Sequence, residues 1–111
     1  MVKNENELKQ LAAHYVEELQ KRGVRVERVI LFGSYGRGTA SERSDIDLAF
    51  ISRDFERFDL FDRQTLLASC RPGFVRTDVI AYSPRLLEER KSSDLVKNIL
   101  TDGRVIFQQA A

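Results

Sequence analysis

The chain has 111 residues and a formal net charge of +1, and 42% of its residues are hydrophobic and 32% are charged. This size and composition predict one globular domain over residues 1–111 and exclude a disordered chain. The near-neutral charge gives no overall attraction to nucleic acid, so direct nucleic-acid binding is not supported. Since no apolar run is long enough to span a membrane and no signal peptide is recognisable, we expect a cytoplasmic protein.

The N-terminal part of the chain predicts a helix followed by a buried strand. Apolar residues recur at helical spacing within Asn4–Arg22, and Gly23 is a typical helix stop. The following strand, Val26–Phe32, ends in the continuous apolar run Val29–Phe32. Such a run is typical of a strand that is covered on both faces.

A glycine-rich turn and two aspartates follow this strand. The turn, Gly33-Ser34-Tyr35-Gly36-Arg37-Gly38, precedes Asp45 and Asp47, which lie at the start of a predicted strand Ile46–Ser52. The spacing of two residues places both carboxylates on one face of a strand. Such a pair is unfavourable without a bound cation, and a glycine-rich turn can hold phosphate groups. The pattern therefore indicates nucleoside triphosphate chemistry, and the alternative is a hairpin with exposed aspartates.

The remaining chain predicts three helical segments and two strands. In chain order they are a helix at Asp59–Cys70, a strand at Phe74–Tyr82, a helical segment that opens at Ser83-Pro84, a helix at Ser93–Thr101 and a strand at Arg104–Phe107. In the first of these helices, Leu60, Leu66 and Leu67 are expected to face inward. The whole pattern predicts an α/β (α+β) fold, in which a small mixed β-sheet has helices packed on one face.

Asp78 is a candidate third carboxylate of the same site. It interrupts an apolar strand next to Val79 and Ile80, and a carboxylate there is costly unless it has a partner. With Asp45 and Asp47 on a neighbouring strand, it would form a site for two Mg²⁺ ions, which clamp the attacking and leaving oxygens of an in-line displacement. The alternative is an edge-strand carboxylate that faces solvent.

At these residues the chain resembles the minimal nucleotidyltransferases of the DNA polymerase β-like superfamily. The motif of that family is Gly-Ser, then Gly, then Ser-Asp-x-Asp, and it corresponds here to Gly33-Ser34, Gly38 and Ser44-Asp45-Ile46-Asp47. The resemblance is strongest to the small antitoxins that pair with a HEPN toxin. It implies a polymerase β-like fold and the transfer of a nucleoside monophosphate, with ATP as the expected donor and two Mg²⁺ ions as cofactors.

The resemblance also implies roles for the candidate residues. Asp45 and Asp47 would bind both metals, whereas Asp78 would bind the catalytic metal and help to deprotonate the acceptor hydroxyl. The Ser34 hydroxyl and nearby backbone N–H groups are placed to hold the β- and γ-phosphates. Arg37 is a candidate phosphate clamp, with a solvated turn residue as the alternative. The remaining nucleotide contacts are expected at Gly33, Gly38 and Ser44.

The acceptor of the transferred group is expected on a partner protein. Only 33 residues follow Asp78, which leaves no room for the acceptor-binding domain that larger relatives carry. The resemblance implies a HEPN ribonuclease toxin as the partner and a tyrosine of that toxin as the AMP acceptor. Two alternatives stay open. One is a binding module that neutralises its partner by occlusion without catalysis, and the other is a nucleotidyltransferase that acts on a small molecule or an RNA end.

Overall fold

The computed structural model describes residues 2–73 and 75–109. In chain order it contains α1 (Glu5–Lys21), β1 (Arg28–Phe32), α2 (Gly33–Arg37), β2 (Ile46–Ile51), a 3₁₀ helix (Arg53–Arg57), α3 (Leu60–Ser69), β3 (Thr77–Tyr82), α4 (Pro84–Glu89), α5 (Asp94–Asp102) and β4 (Arg104–Gln108). The predicted helices and strands are confirmed with shifts of a few residues at their ends. Phe74, the expected start of the third strand, lies outside the described residues. Within those residues, no helix combines the length and apolar character needed to cross a membrane.

The four strands form one mixed sheet in the order β3-β2-β1-β4. β1 is antiparallel to both β2 and β4, whereas β2 and β3 are parallel. Phe32, at the end of β1, pairs with Asp47 near the start of β2, and Asp47 pairs in turn with Asp78 near the start of β3. One end of the sheet therefore collects the start of α2 and both of these aspartates. The predicted mixed sheet is confirmed.

The helices cover both faces of the sheet, which corrects the expectation that they pack on one face. On one face, residues of α1 and α3 pack with β-strand residues such as Leu31 and Phe50. On the other face, α4 and α5 pack against residues such as Ile30 and Ile51. The reason is that β1 and β2 are apolar at consecutive positions, so each face of the central strands needs its own cover.

Helix α1 is fixed at its start by a capping box and at its middle by a buried hydrogen bond to β3. The Asn4 side chain accepts a hydrogen bond from the Glu7 backbone N–H at 2.9 Å, and the Glu7 carboxylate accepts one from the Asn4 N–H at 3.0 Å. Further along, the Tyr15 hydroxyl lies 2.9 Å from the Thr77 hydroxyl, and both residues are buried. Because Thr77 precedes Asp78, this bond fixes the start of β3 at the end of the sheet that carries the aspartates.

The inner face of α3 contains an arginine that was not expected there. Leu67 is buried as predicted, but Leu60 is 58% exposed, so the expectation for Leu60 was wrong. In the first turns of α3 it is Arg63 that faces inward, and this residue is 8% exposed. Its guanidinium donates to the carbonyl oxygens of Ala81 at 3.1 Å and of Phe58 at 2.9 Å. These bonds satisfy a buried charged group and join α3 to β3.

Candidate active site

Two of the predicted carboxylates are direct neighbours across parallel strands. Asp47 is the second residue of β2 and Asp78 the second residue of β3, and the two are register partners. Residues paired in this way project from the same face of a sheet. Asp78 is exposed on the outer strand β3, whereas Asp47 is half-buried. Asp47 is therefore the inner member of the pair. Asp78 is the outer member, which solvent or a partner molecule can reach.

The electrostatics of Asp47 reflect this crowding. Burial, followed by the negative charges of Asp78 and Asp45, raises the pKa of Asp47 from 3.8 to about 6, although Arg37 acts in the opposite direction. The three carboxylates are thus close enough to repel one another. A cation at this point would remove that repulsion.

Asp45 is turned toward an arginine on the neighbouring strand end. Its Oδ1 atom accepts a hydrogen bond from Nε of Arg76 at 3.0 Å and lies 3.0 Å from Nη2 of the same guanidinium as an ion pair. The Nη2 group of Arg76 also donates to the Arg43 carbonyl oxygen at 2.9 Å. Among residues 2–73 and 75–109, no three or more His, Cys, Asp or Glu side chains are grouped so that they could hold a metal ion. In this conformation Asp45 consequently does not form a three-carboxylate metal site with Asp47 and Asp78.

Arg76 was missed in the sequence, although a signal for it exists. It lies two residues before Asp78, as Asp45 lies two residues before Asp47. Extending the register of β2 and β3 by one step on the same face brings Arg76 opposite Asp45, and the Ile46 N–H donates to the Arg76 carbonyl oxygen at 3.0 Å. The alternation of strand residues could therefore have placed this positive charge in the site.

The segment predicted as a glycine-rich turn is the short helix α2. Its first residue, Gly33, lies against the Asp47 side chain. Gly33 has φ +64°, and a Cβ atom built on it would lie 2.9 Å from Cγ of Asp47. Ser34 follows it as a half-buried residue, and Gly38 closes the helix as its C-cap. The backbone at residues 33 and 34 thus approaches the Asp47 carboxylate as closely as only a glycine permits.

The other predicted nucleotide contacts lie around this helix with partners of their own. Arg37 forms an ion pair with Asp102 at the end of α5, with 3.0 Å between Nη1 and Oδ2. The Ser44 hydroxyl accepts a hydrogen bond from the Ser41 N–H at 2.9 Å, so this side chain shapes the loop before β2. Tyr35, which is in the same helix but is not one of the predicted contacts, is buried, and its hydroxyl accepts a hydrogen bond from the Lys3 N–H at 3.1 Å.

Two open cavities lie on either side of Val75 and Arg76. One has a volume of about 370 Å³ and is lined by Asp45, Arg71, Gly73, Val75, Arg76 and Thr77. The other has a volume of about 360 Å³, and its lining includes Tyr35, Ser44, Ile46 and Arg76. Each is large enough for part of a small ligand. Of the three candidate carboxylates, Asp45 lines the first cavity, and neither lining includes Asp47 or Asp78.

The donor set fits hard divalent cations. Mg²⁺ prefers carboxylate oxygens, and Asp47 and Asp78 present them side by side with a mutual repulsion that a cation would relieve. Asp45 can add a third carboxylate if its side chain leaves Arg76. Residues Asp45, Asp47 and Asp78 would therefore hold the metal.

Comparison with known proteins assigns the family. The family model described as the nucleotidyltransferase domain matches residues 12–106, so the chain belongs to this family. A Methanocaldococcus jannaschii protein, assigned as a protein adenylyltransferase, is 37% identical over 95 residues. That alignment covers 81% of this chain and 64% of the relative, so the chain spans less than two thirds of the relative's length.

Solved structures confirm the nucleotidyltransferase fold. A Sulfolobus solfataricus protein assigned as a nucleotidyltransferase superimposes with a TM-score of 0.68 at 25% identity, over 95% of this chain and 84% of that one. A toxin–antitoxin structure with AMP-PNP gives a TM-score of 0.57 at 26% identity, over 96% of this chain and 75% of that one. The resemblance to the antitoxin branch of the family is thereby confirmed.

Proposed function

We propose that this domain transfers AMP from ATP to a hydroxyl group, and that the acceptor is a tyrosine of a HEPN-type partner toxin. The observation that carries the proposal is the pairing of Asp47 with Asp78 directly in front of Gly33 and Ser34. It combines paired carboxylates for a divalent metal with a close backbone approach for a triphosphate. Support for the acceptor comes from the relative assigned as a protein adenylyltransferase and from the toxin–antitoxin structure with AMP-PNP.

The strand order suggests which side of the site serves each substrate. α2 follows β1, whereas Asp78 lies on β3, two strands away across the sheet. In this proposal, Ser34 and the backbone of α2 bind the triphosphate. The exposed Asp78 meets an acceptor that arrives from the β3 side and takes up the proton of its hydroxyl.

The reaction is an in-line displacement at the α-phosphorus. The acceptor oxygen forms a bond to the α-phosphorus while the bond between this phosphorus and the bridging oxygen of the β-phosphate breaks, so pyrophosphate leaves. Mg²⁺ held by Asp45, Asp47 and Asp78 would supply stabilisation of the negative charge on the attacking and leaving oxygens. Asp47 orients the reacting groups from the inner position, where burial and Gly33 restrict its movement.

The test is incubation of the purified protein and its toxin partner with Mg²⁺ and ATP labelled at the α-phosphate. We expect label on the toxin and a mass increase of one or more AMP units on a tyrosine. ATP labelled at the γ-phosphate should leave the toxin unlabelled, because that phosphate departs with pyrophosphate. Asp47→Asn should abolish labelling, whereas Asp62→Asn, which changes an exposed carboxylate on α3, should not.

The occlusion alternative has its own outcome in the same experiment. A double variant, Asp45→Asn with Asp47→Asn, keeps the surface shape but removes two metal ligands. If this variant silences the ribonuclease activity of the toxin as well as the unchanged protein does, and no mass increase occurs, the domain acts by occlusion. Labelling of a small molecule or an RNA end instead of the toxin would assign a different acceptor.

A further inference from the structure

Arg76 contacts Asp45, one of the three candidate metal ligands. Two of its guanidinium nitrogens lie 3.0 Å from Oδ1 of Asp45. On the basis of the proposed function, we propose that Arg76 is a positioning residue that competes with the divalent metal for Asp45. In the metal-free protein it keeps Asp45 apart from Asp47 and Asp78, and metal binding transfers the Asp45 carboxylate from Arg76 to the metal.

The strength of the Asp45–Arg76 pair suits such an exchange. The Arg76 side chain is 66% exposed and the Asp45 side chain 52% exposed, so solvent screens their attraction. Exposed ion pairs of this kind contribute little to stability. A divalent cation next to two further carboxylates attracts Asp45 more strongly than a screened guanidinium does. The pair is thus weak enough for the metal to displace and strong enough to orient Asp45 beforehand.

The backbone around the pair permits the change. Asp45 lies in the loop before β2, and the paired register of β2 with β3 begins at Ile46. The Asp45 side chain can therefore rotate without loss of a sheet hydrogen bond. Arg76 can keep its 2.9 Å bond to the Arg43 carbonyl oxygen, which holds the loop next to β3 during the exchange.

The experiment measures Mn²⁺ binding to the metal-free protein by electron paramagnetic resonance, without nucleotide or partner. Arg76→Met removes the guanidinium but keeps most of the aliphatic stem. We expect Mn²⁺ to bind this variant about two- to fivefold more tightly, the factor that corresponds to loss of an exposed ion pair. In an Asp45→Asn background the same substitution should give no such gain, since the carboxylate in competition is absent.

A matched control separates competition for Asp45 from a general change in charge. Arg71 lines the same cavity, but its guanidinium donates to the Thr77 carbonyl oxygen at 3.3 Å. Arg71→Met removes one positive charge without freeing Asp45, so we expect a smaller gain in Mn²⁺ affinity. A second variant, Arg76→Lys, keeps the charge and should bind Mn²⁺ less tightly than Arg76→Met.

The outcomes separate this inference from the proposed function. Unchanged or weaker Mn²⁺ binding in Arg76→Met, an equal gain in Arg71→Met, or a gain that persists without the Asp45 carboxylate would overturn the role of Arg76. Each of these results leaves the nucleotidyltransferase site itself intact. If the unchanged protein and all of the variants bind no Mn²⁺ even with ATP added, the metal site fails, and the proposed function and this inference fail with it.

Discussion

The Asp47 carboxylate fills the space that a side chain at residue 33 would need. A Cβ atom built on Gly33 would lie 2.9 Å from Cγ and 3.3 Å from Cβ of Asp47. Gly33 also has φ +64°, a backbone conformation that costs other residues energy. The glycine therefore meets two requirements at once, since it starts α2 and leaves Asp47 in place beside Asp78.

Gly33→Ala is expected to disrupt the site more than it destabilises the fold. The strained backbone should lower the free energy of unfolding by about 1–2 kcal/mol. The new methyl group should displace the Asp47 carboxylate and weaken Mn²⁺ binding by about tenfold or more. Chemical denaturation and Mn²⁺ titration measure the two effects separately.

Gly23→Ala is the matched control for this prediction. Gly23 has φ +87°, and a Cβ atom there would meet nothing within 4 Å. Its substitution should therefore cost a similar strain energy while Mn²⁺ affinity stays unchanged. If both variants bind Mn²⁺ like the original protein, the close approach of residue 33 to Asp47 has no functional consequence.

Asp47→Asn is expected to stabilise the metal-free protein at neutral and alkaline pH. The folded protein raises the pKa of Asp47 from 3.8 to about 6, so ionised Asp47 opposes folding above pH 6. The shift corresponds to at most about 3 kcal/mol, and because the residue is half-exposed we expect about 1 kcal/mol after solvent screening. The variant removes this cost.

The stability gained by Asp47→Asn is expected to depend on pH. Between pH 6 and pH 3.8 the folded protein binds a proton at Asp47 that the unfolded chain does not, so the cost declines as the pH falls and is absent below 3.8. Urea denaturation with a chelator at pH 8 and pH 4 should thus show a larger gain for Asp47→Asn at pH 8. A clear loss of stability at pH 8 would identify Asp47 as a structural carboxylate.

The sequence predicts the charged end of the sheet better than it predicts the arginines that contact it. Two local patterns reveal the aspartates: the spacing of Asp45 and Asp47, and the apolar strand around Asp78. The register of β2 and β3 then brings Asp47 and Asp78 together. The contact of Arg76 with Asp45 depends on which strands are neighbours and on their register. Strand alternation places Arg76 on the same face as Asp78, but the neighbouring strand and the register that bring it to Asp45 cannot be read from a segment by itself.

The same limit applies to the packing of the helices. The apolar run Val29–Phe32 indicates cover on both faces of β1, but it does not say which helices provide that cover. Arg63 also departs from the local pattern, because the carbonyl oxygens of Ala81 and Phe58 make a buried arginine acceptable. Such partners are distant in sequence and become visible only in the folded chain.

Tyr15→Phe is expected to lower the free energy of unfolding by about 1–2 kcal/mol. It would leave the buried Thr77 hydroxyl without the partner that now lies 2.9 Å away. The double variant Tyr15→Phe with Thr77→Val should be less destabilised than the sum of the two single variants, because it removes both polar groups together. Additive losses in denaturation experiments would show that the hydroxyl pair contributes no coupling.

The last prediction concerns Arg37, which either binds phosphate or only forms its ion pair with Asp102. Arg37→Met and Asp102→Asn both remove the same 3.0 Å ion pair, so their small effects on stability should be similar. Their effects on the nucleotide should differ. If Arg37 contacts the triphosphate, Arg37→Met should weaken ATP binding severalfold, whereas Asp102→Asn should leave it equal or tighter because the guanidinium is released.

Titration calorimetry with a non-hydrolysable ATP analogue and Mg²⁺ distinguishes the two roles. A difference in affinity between the variants cannot arise from the ion pair, since both have lost it. It comes from the charge that each variant keeps, which is the guanidinium in Asp102→Asn and the carboxylate in Arg37→Met, and the guanidinium also favours the ionised form of Asp47. Measuring at pH 8, well above the Asp47 pKa of about 6, keeps that carboxylate ionised in both variants. Equal affinities under these conditions would assign Arg37 to the ion pair alone and leave phosphate binding to Ser34 and the backbone of α2.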